Sequence, residues 1–258
     1  MPGGFHVLSA QYLSILAVIY VLGLMATSDK YQLLSAGDLL VTGRLVDASN
    51  ATLFATVTLG SDQQACIYKP IAGERPLWDF PDGTLADREY AAFLVSDFLE
   101  LDLVPLTLLR EGPYGQGMVQ EWIDIDESID LANFFSQDHA ELRTMALFDA
   151  IINNTDRKIG HLLPTPDGKL FGCDHGVTFH SENKLRTVLW QWAGDPFHPS
   201  EIALLEKISR GLGSELDLSP HLTLEEIEAL QIRIHQLLTQ GCMPMPNPDW
   251  PAIPWPAF

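Results

Sequence analysis

Strand-like and helix-like patterns are segregated along this chain, and that segregation narrows the folds open to it. Leu39–Val46 and Thr52–Leu59 read as two β-strands, with the polar Asp47-Ala-Ser-Asn50 between them as a hairpin turn. Cys66-Ile-Tyr-Lys69 predicts a third strand, ending at Pro70, which has no N–H to extend a ladder. Leu103–Arg110 and Gly117–Ile123 are further strand candidates. Between the third strand and these two a helix is expected, because Ala91, Leu94, Val95, Phe98 and Leu99 recur at helical spacing behind the capping candidates Asp82 and Thr84. After the acidic stretch Asp124–Asp130, helical patterns dominate: about His139 to Ile152, Pro199 to Arg210 and Leu224 to Leu238. Thr223 and Glu226 form a capping-box pattern for the last of these. A strand-rich first half and a helix-rich second half predict an α+β chain in two lobes. No internal repeat is visible. Gly73–Gly83 reads as an ordered loop, and the Pro- and Trp-rich stretch from Met243 to Phe258 as a tail extended over a surface.

Composition excludes several function classes. With 258 residues, 47% of them hydrophobic, the chain can bury a sizeable core. A formal net charge of −19 argues against non-specific nucleic-acid binding, which needs a cationic surface to displace counterions. It argues equally against tight docking on anionic lipid, so membrane contact is not expected. Cys66, Cys173 and Cys242 are scattered and make no disulfide framework, which fits a reduced, cytoplasmic protein. Tyr12–Ala26 is nearly all apolar but shorter than the roughly 18 residues of a spanning helix. No Lys or Arg precedes it, as a secretory signal would want. It reads as a weak signal or anchor, as an apolar helix packed on the domain, or as an over-extended start with Met25 as the initiator; the last is favoured, since Ser28-Asp-Lys30 opens an ordinary domain.

Two short segments carry the chemistry. In Ile151-Ile-Asn-Asn-Thr-Asp156-Arg-Lys-Ile-Gly-His161 an apolar helix runs into a polar loop that begins with an acid. In Phe171-Gly-Cys-Asp174-His-Gly176 the second strand of a hairpin, turned at Pro166-Asp-Gly168, ends at another acid. Phosphoryl transfer from ATP uses two such carboxylates, one to orient the acceptor hydroxyl and one to bind the metal ion that neutralises phosphate charge. Upstream, Lys69 stands late in an apolar strand. It is either a cleft lysine that meets phosphates or an edge lysine with its head in water. Glu89 is its natural partner, although it lies off the apolar stripe of its helix; a helix wedged between a sheet and a second lobe would show such a two-sided pattern. Read singly, Asp156 could be a turn or cap residue. The order of lysine strand, glutamate helix, aspartate loop and Asp-x-Gly hairpin is the order that one mechanism requires.

Asn154-Thr-Asp156-Arg157 and Asp174-His-Gly176 resemble the catalytic and metal-binding loops of the phosphatidylinositol 3-/4-kinase-like superfamily, and more closely a bacterial branch of it with no established substrate. The likeness extends to Gly43–Thr52, Tyr68-Lys-Pro70, Gly73–Gly83, Lys184–Trp190 and Ile253-Pro-Trp-Pro256, and does not cover residues 1–24. It implies a bilobal protein-kinase-like fold: an apolar N-terminal segment (1–24), an ATP-binding lobe (25–123) and a catalytic, metal-binding lobe (124–258). It further implies Lys69 on phosphate with Glu89 holding it, Ser49 and Asn50 at the ATP, and adenine against the Val119-Gln120-Glu121-Trp122 linker. Asp156 would be the catalytic acid and Asp174 the ligand of Mg²⁺ or Mn²⁺. The family places an Asn five positions after the catalytic Asp, where this chain has His161. Imidazole there either ligates the metal, which suits Mn²⁺ better than Mg²⁺, or only supports the loop.

His175–Gly194 corresponds to the family's activation or substrate loop and holds His180, Lys184 and Arg186, with Trp190 and Trp192 read as structural. The resulting expectation is an ATP-dependent kinase with an unidentified hydroxyl acceptor, protein, small molecule or lipid. Its alternatives are a nucleotide-binding pseudokinase acting as a regulatory module and, more weakly, a membrane-anchored interaction protein.

Overall fold

The computed structural model describes residues 29–45, 51–80 and 84–258. Helix α1, described over 29–36, leads into an antiparallel five-stranded sheet in the order β1-β2-β3-β5-β4. Its strands are β1 (Asp38–Arg44), β2 (Leu53–Leu59), β3 (Asp62–Pro70), β4 (Thr107–Gly112) and β5 (Gly115–Glu121). The helices that follow are α2 (Leu85–Phe98, between β3 and β4), α3 (Leu131–Phe134), α4 (Ala140–Ile152), α5 (Pro199–Gly211) and α6 (Leu224–Gln240). A small hairpin, β6 (Leu162–Pro164) with β7 (Leu170–Gly172), sits between α4 and α5. The fold is mixed α+β, as the pattern segregation predicts. The expected Asp47–Asn50 turn, with Ser49 and Asn50, lies outside the described residues, as do Asp82 and the apolar Tyr12–Ala26. Among the described residues no helix is long and apolar enough to cross a membrane.

Two strand boundaries differ from expectation for local reasons. β3 begins at Asp62 rather than Cys66, because Gly60, at φ 63, allows a tight turn that pairs Leu59 with Asp62. β4 begins at Thr107 rather than Leu103. The N–H groups of Leu103 and Val104 are taken by Ser96 Oγ at 3.1 and 3.2 Å, which holds that stretch against α2 as a buried loop.

Buried apolar residues form two clusters. Leu33, Leu34, Ala55, Val57, Cys66, Tyr68, Leu108 and Val119 pack α1 against the sheet. The larger cluster joins Ala91, Ala92 and Val95 of α2 to Met145, Phe148 and Ile152 of α4, Leu205 and Ile208 of α5, and Leu230 and Ile234 of α6. Helix α2 also contacts β4 and β5, so both of its sides are covered. This is why Glu89, off the apolar stripe, is nonetheless 1% exposed.

The polar ends of α2 are built by distant residues. Its first N–H groups are met by the Glu74 carboxylate, at 3.2 Å from Leu85 N and 2.8 Å from Ala86 N, in place of the expected local cap. Arg88, also 1% exposed, donates to the Thr178 carbonyl at 2.8 Å and to Glu226. Glu226 at the same time closes the capping box of α6, accepting from Thr223 N at 2.9 Å while its own N–H reaches Thr223 Oγ1 at 3.3 Å. One carboxylate thus starts α6 and anchors α2 to it.

Candidate active site

The cleft beneath the sheet is lined by Lys69, Glu89 and Asp174, with Ala51, Gly73, Glu74, Leu85 and Gly176 around them. Lys69 is placed there by strand alternation: Tyr68 points into the sheet's core, and Lys69 to the other face. Its ammonium lies 2.5 Å from Glu89 Oε1 and 2.8 Å from Asp174 Oδ1. Lys69 is thus turned into the cleft and not out to water. Burial works against its charge, but the Asp174 and Glu89 carboxylates outweigh it and hold the Lys69 pKa well above the ordinary lysine range. Asp174 shows the reciprocal effect, held well below the ordinary carboxylate range chiefly by Lys69. The other Glu89 oxygen accepts the backbone N–H of His175 at 2.9 Å, so one side chain ties α2 to both β3 and the Asp174 loop.

Asp174 follows directly on the β6–β7 hairpin, at φ 60 in the left-handed region. Asp tolerates that conformation better than most residues, and its backbone turn aims the carboxylate back toward Lys69. Asp156 lies in the loop after α4, which ends in a left-handed cap at Asn153 (φ 52). Asn154 holds that loop, accepting the Asp156 N–H at 3.0 Å and donating to Asp149 Oδ1 at 2.9 Å. The Asp156 carboxylate sits 3.2 Å from Lys158 Nζ. Burial pushes its pKa up, Lys158 opposes this, and the charge on Asp174 adds to the rise. The two carboxylates therefore share one electrostatic neighbourhood.

His161 Nε2 lies 3.5 Å from Asp174 Oδ2. Burial pushes the His161 pKa down to about 4, although Asp174 pulls the other way, so the ring is neutral near pH 7. Its Nδ1 faces the Lys158 N–H at 3.5 Å, which is the loop-supporting contact; ligation of a metal by Nε2 needs the proton on Nδ1 instead, and that contact released. A carboxylate and a neutral imidazole make a donor pair that fits a divalent cation. Among the described residues no group of three or more His, Cys, Asp or Glu side chains is disposed to hold a metal. The remaining coordination would come from phosphate oxygens and water, the usual manner for a nucleotide-bound Mg²⁺.

The expected adenine linker lies at the end of β5, in the strand the sequence pattern predicts. Val119, Gln120 and Glu121 lie within β5, paired to β3 on one side and β4 on the other. The Glu121 N–H donates to the Leu106 carbonyl at 2.8 Å and the Trp122 N–H to the Ala65 carbonyl at 3.1 Å. The Gln120 side chain is buried on Thr107, and Glu121 pairs with Lys30 at 2.5 Å. Only Trp122, 36% exposed, stands at the strand's exit.

Sequence reasoning gave no role to the buried network behind the loops. Arg157, with no exposed surface, forks onto Asp149 at 2.9–3.1 Å, donates to the Cys173 carbonyl at 3.0 Å, and meets His175 Nε2 at 2.7 Å. It thereby locks the Asp156 loop to the Asp174 loop. The visible signal was Asp149, an acid in the apolar run Met145–Ile152. The basic residues of the 175–194 segment are turned inward. Lys184 is 3% exposed, bonded to Asp79 at 3.2 Å and set between the rings of Trp78 and Trp250; Arg186 donates to the Thr155 carbonyl at 2.7 Å. Trp190 and Trp192 act structurally, through Nε1 bonds to the Ala252 carbonyl and to Asp138.

No model of a described protein family matches the chain. Protein Rv2133c of Mycobacterium tuberculosis is 42% identical over 274 residues, covering 92% of this chain and 98% of that protein. Among solved structures, the Helicobacter pylori proinflammatory kinase CtkA overlaps 81% of this chain and 94% of its own, with a TM-score of 0.45 at 11% identity.

Proposed function

We propose that this chain, which belongs to the family of Protein Rv2133c, is an ATP-dependent phosphotransferase with a two-lobed, phosphatidylinositol 3-/4-kinase-like arrangement. The lobes would be residues 25–123 and 124–258. The observation that carries the reading is the Lys69 ammonium gripped by both Glu89 and Asp174, at 2.5 and 2.8 Å, in one cleft. A purely structural lysine would not need two acids from elements 20 and 105 residues away.

Each residue then has a task. Lys69 meets the nucleotide phosphates, and Glu89 holds it at the right extension. Asp174 and His161 hold the divalent cation, which when bound neutralises charge on the phosphates. Asp156 accepts the proton of the acceptor hydroxyl and orients it, its raised pKa making it a better base than a solvated aspartate. Lys158, beside it, balances charge that develops there. Ser49, Asn50 and the β5 exit at Trp122 are the candidates for the nucleotide's remaining contacts; Val119–Glu121 support that exit through the sheet.

The acceptor is a hydroxyl on a protein or small molecule rather than an inositol phosphate lipid. Lys184 and Arg186 are spent on internal partners, which leaves them poorly placed to meet a polyanion. A second reading, nucleotide binding without transfer, is favoured by His161, whose Nδ1 contact to Lys158 supports the loop instead of a metal. Incubation with γ-labelled ATP, Mg²⁺ or Mn²⁺ and a cell extract separates the two. Label on an acceptor supports phosphotransfer, and saturable nucleotide binding with no transfer under either metal sinks it.

A further inference from the structure

We propose that His175 is a positioning residue for this chemistry: a neutral imidazole, protonated on Nδ1, that registers the Lys69–Glu89 pair against the Asp156 loop. The role rests on the phosphotransferase reading above and deepens it.

The tautomer follows from its neighbour. A guanidinium donates five hydrogen bonds and accepts none. Arg157 Nη2 lies 2.7 Å from His175 Nε2, so Nε2 must be the lone-pair nitrogen and the ring proton must be on Nδ1. The ring has no exposed surface, and the edge of Phe148, at 5.8 Å between centroids, holds its plane. His175 Nδ1 is buried without a hydrogen-bond partner and stands 3.9 Å from Glu89 Oε2, the oxygen that already takes the His175 backbone N–H. A buried N–H left short of its acceptor is costly. Here it is aimed at the oxygen that would satisfy it after a shift of about 1 Å, to ordinary hydrogen-bond distance.

The result is one connected path. Lys69 bonds Glu89, Glu89 bonds the His175 backbone, and the His175 ring meets Arg157. Arg157 forks onto Asp149, Asp149 bonds Asn154, and Asn154 fixes the N–H of Asp156. Any movement of Glu89 that accompanies Lys69 engaging phosphate is passed through the imidazole to the loop that carries Asp156. Closing the Nδ1–H to Glu89 bond in that state would satisfy the orphan donor and draw the two loops into register.

The test has two arms on the full chain. In ¹⁵N–¹H spectra of the wild-type protein, with His175 assigned by the signals lost in His175→Gln, Nδ1 should be protonated and Nε2 bare. In steady-state ATP turnover, His175→Phe keeps a planar ring but removes one of Arg157's acceptors, leaving it Asp149 and the Cys173 carbonyl. It should lower kcat about 100-fold, the cost of a misplacement on the ångström scale, with KM for ATP unchanged. His175→Gln, whose amide oxygen can again accept from Arg157, should recover most of the loss. An Nε2-protonated or doubly protonated ring overturns the proposal, even if His175→Phe fails to fold; so does a folded His175→Phe with wild-type kcat. A wild-type chain with the expected tautomer but no nucleotide turnover instead sinks the phosphotransferase reading, and the role with it.

Discussion

Lys69 Nζ stands 2.5 Å from Glu89 Oε1, a contact between the penultimate residue of β3 and the second turn of α2 that neither element's own pattern requires. Glu89 is almost fully enclosed, and Lys69 and the His175 N–H supply hydrogen-bond donors to its two carboxylate oxygens. Glu89→Gln keeps the volume and removes the charge. It should leave the chain folded at a cost of about 2 kcal/mol, as expected for weakening a buried charged hydrogen bond. ATP affinity should fall with it, because Lys69 is then held by Asp174 alone. Chemical denaturation and nucleotide titration read the two effects, and unchanged nucleotide affinity would remove Glu89 from the site.

Replacing Asp156 by Asn should stop transfer while leaving nucleotide affinity nearly intact, since its partner is the acceptor hydroxyl. The same carboxylate sets a pH limit. Burial raises its pKa above the usual aspartate value, and the base must be ionised to act. Activity should therefore be present at neutral pH and lost as pH falls through that raised value, at a higher pH than a solvated aspartate would give. The acid limb of the kcat profile measures it.

The metal prediction turns on His161. His161→Asn exchanges a nitrogen donor for an oxygen and should raise activity with Mg²⁺ relative to Mn²⁺. Asp174→Asn should abolish transfer with either ion, because the phosphates lose their principal metal anchor. Initial rates under each metal are the measurement; an unchanged Mn²⁺/Mg²⁺ ratio in His161→Asn would return that residue to loop support.

Arg88 and Glu226 join α2 to α6, with side chains 1% and 10% exposed. Glu226→Ala leaves a buried guanidinium short of its partner and also breaks the α6 capping box. A loss of about 3–5 kcal/mol is expected, the range for breaking a buried ion pair. Thermal unfolding checks it; a surface-like change of a few tenths would mean that Arg88 finds another acceptor.

What the sequence by itself determined was local. β-rich runs placed β2 and the later half of β3, Thr223 with Glu226 marked the start of α6, and the order Lys69, Glu89, Asp156, Asp174 named the four residues of the candidate site. The first two signals are carried by residues a few positions apart, where backbone geometry fixes which side chains can meet; the last is an order of segments along the chain and fixes no contact. The tertiary structure alone decided the rest. Glu89 was placed off the apolar stripe of α2 and looked misdirected, because a helix buried on two sides spreads its buried residues around the axis and its periodicity no longer names one inward face. The β4 boundary moved because Ser96, from another element, took the N–H groups of Leu103 and Val104. The Asp149–Arg157–His175 network and the Arg88–Glu226 pair were invisible for the same reason. Their partners are brought together by helix packing across as many as 138 residues, and no local spacing encodes such a meeting.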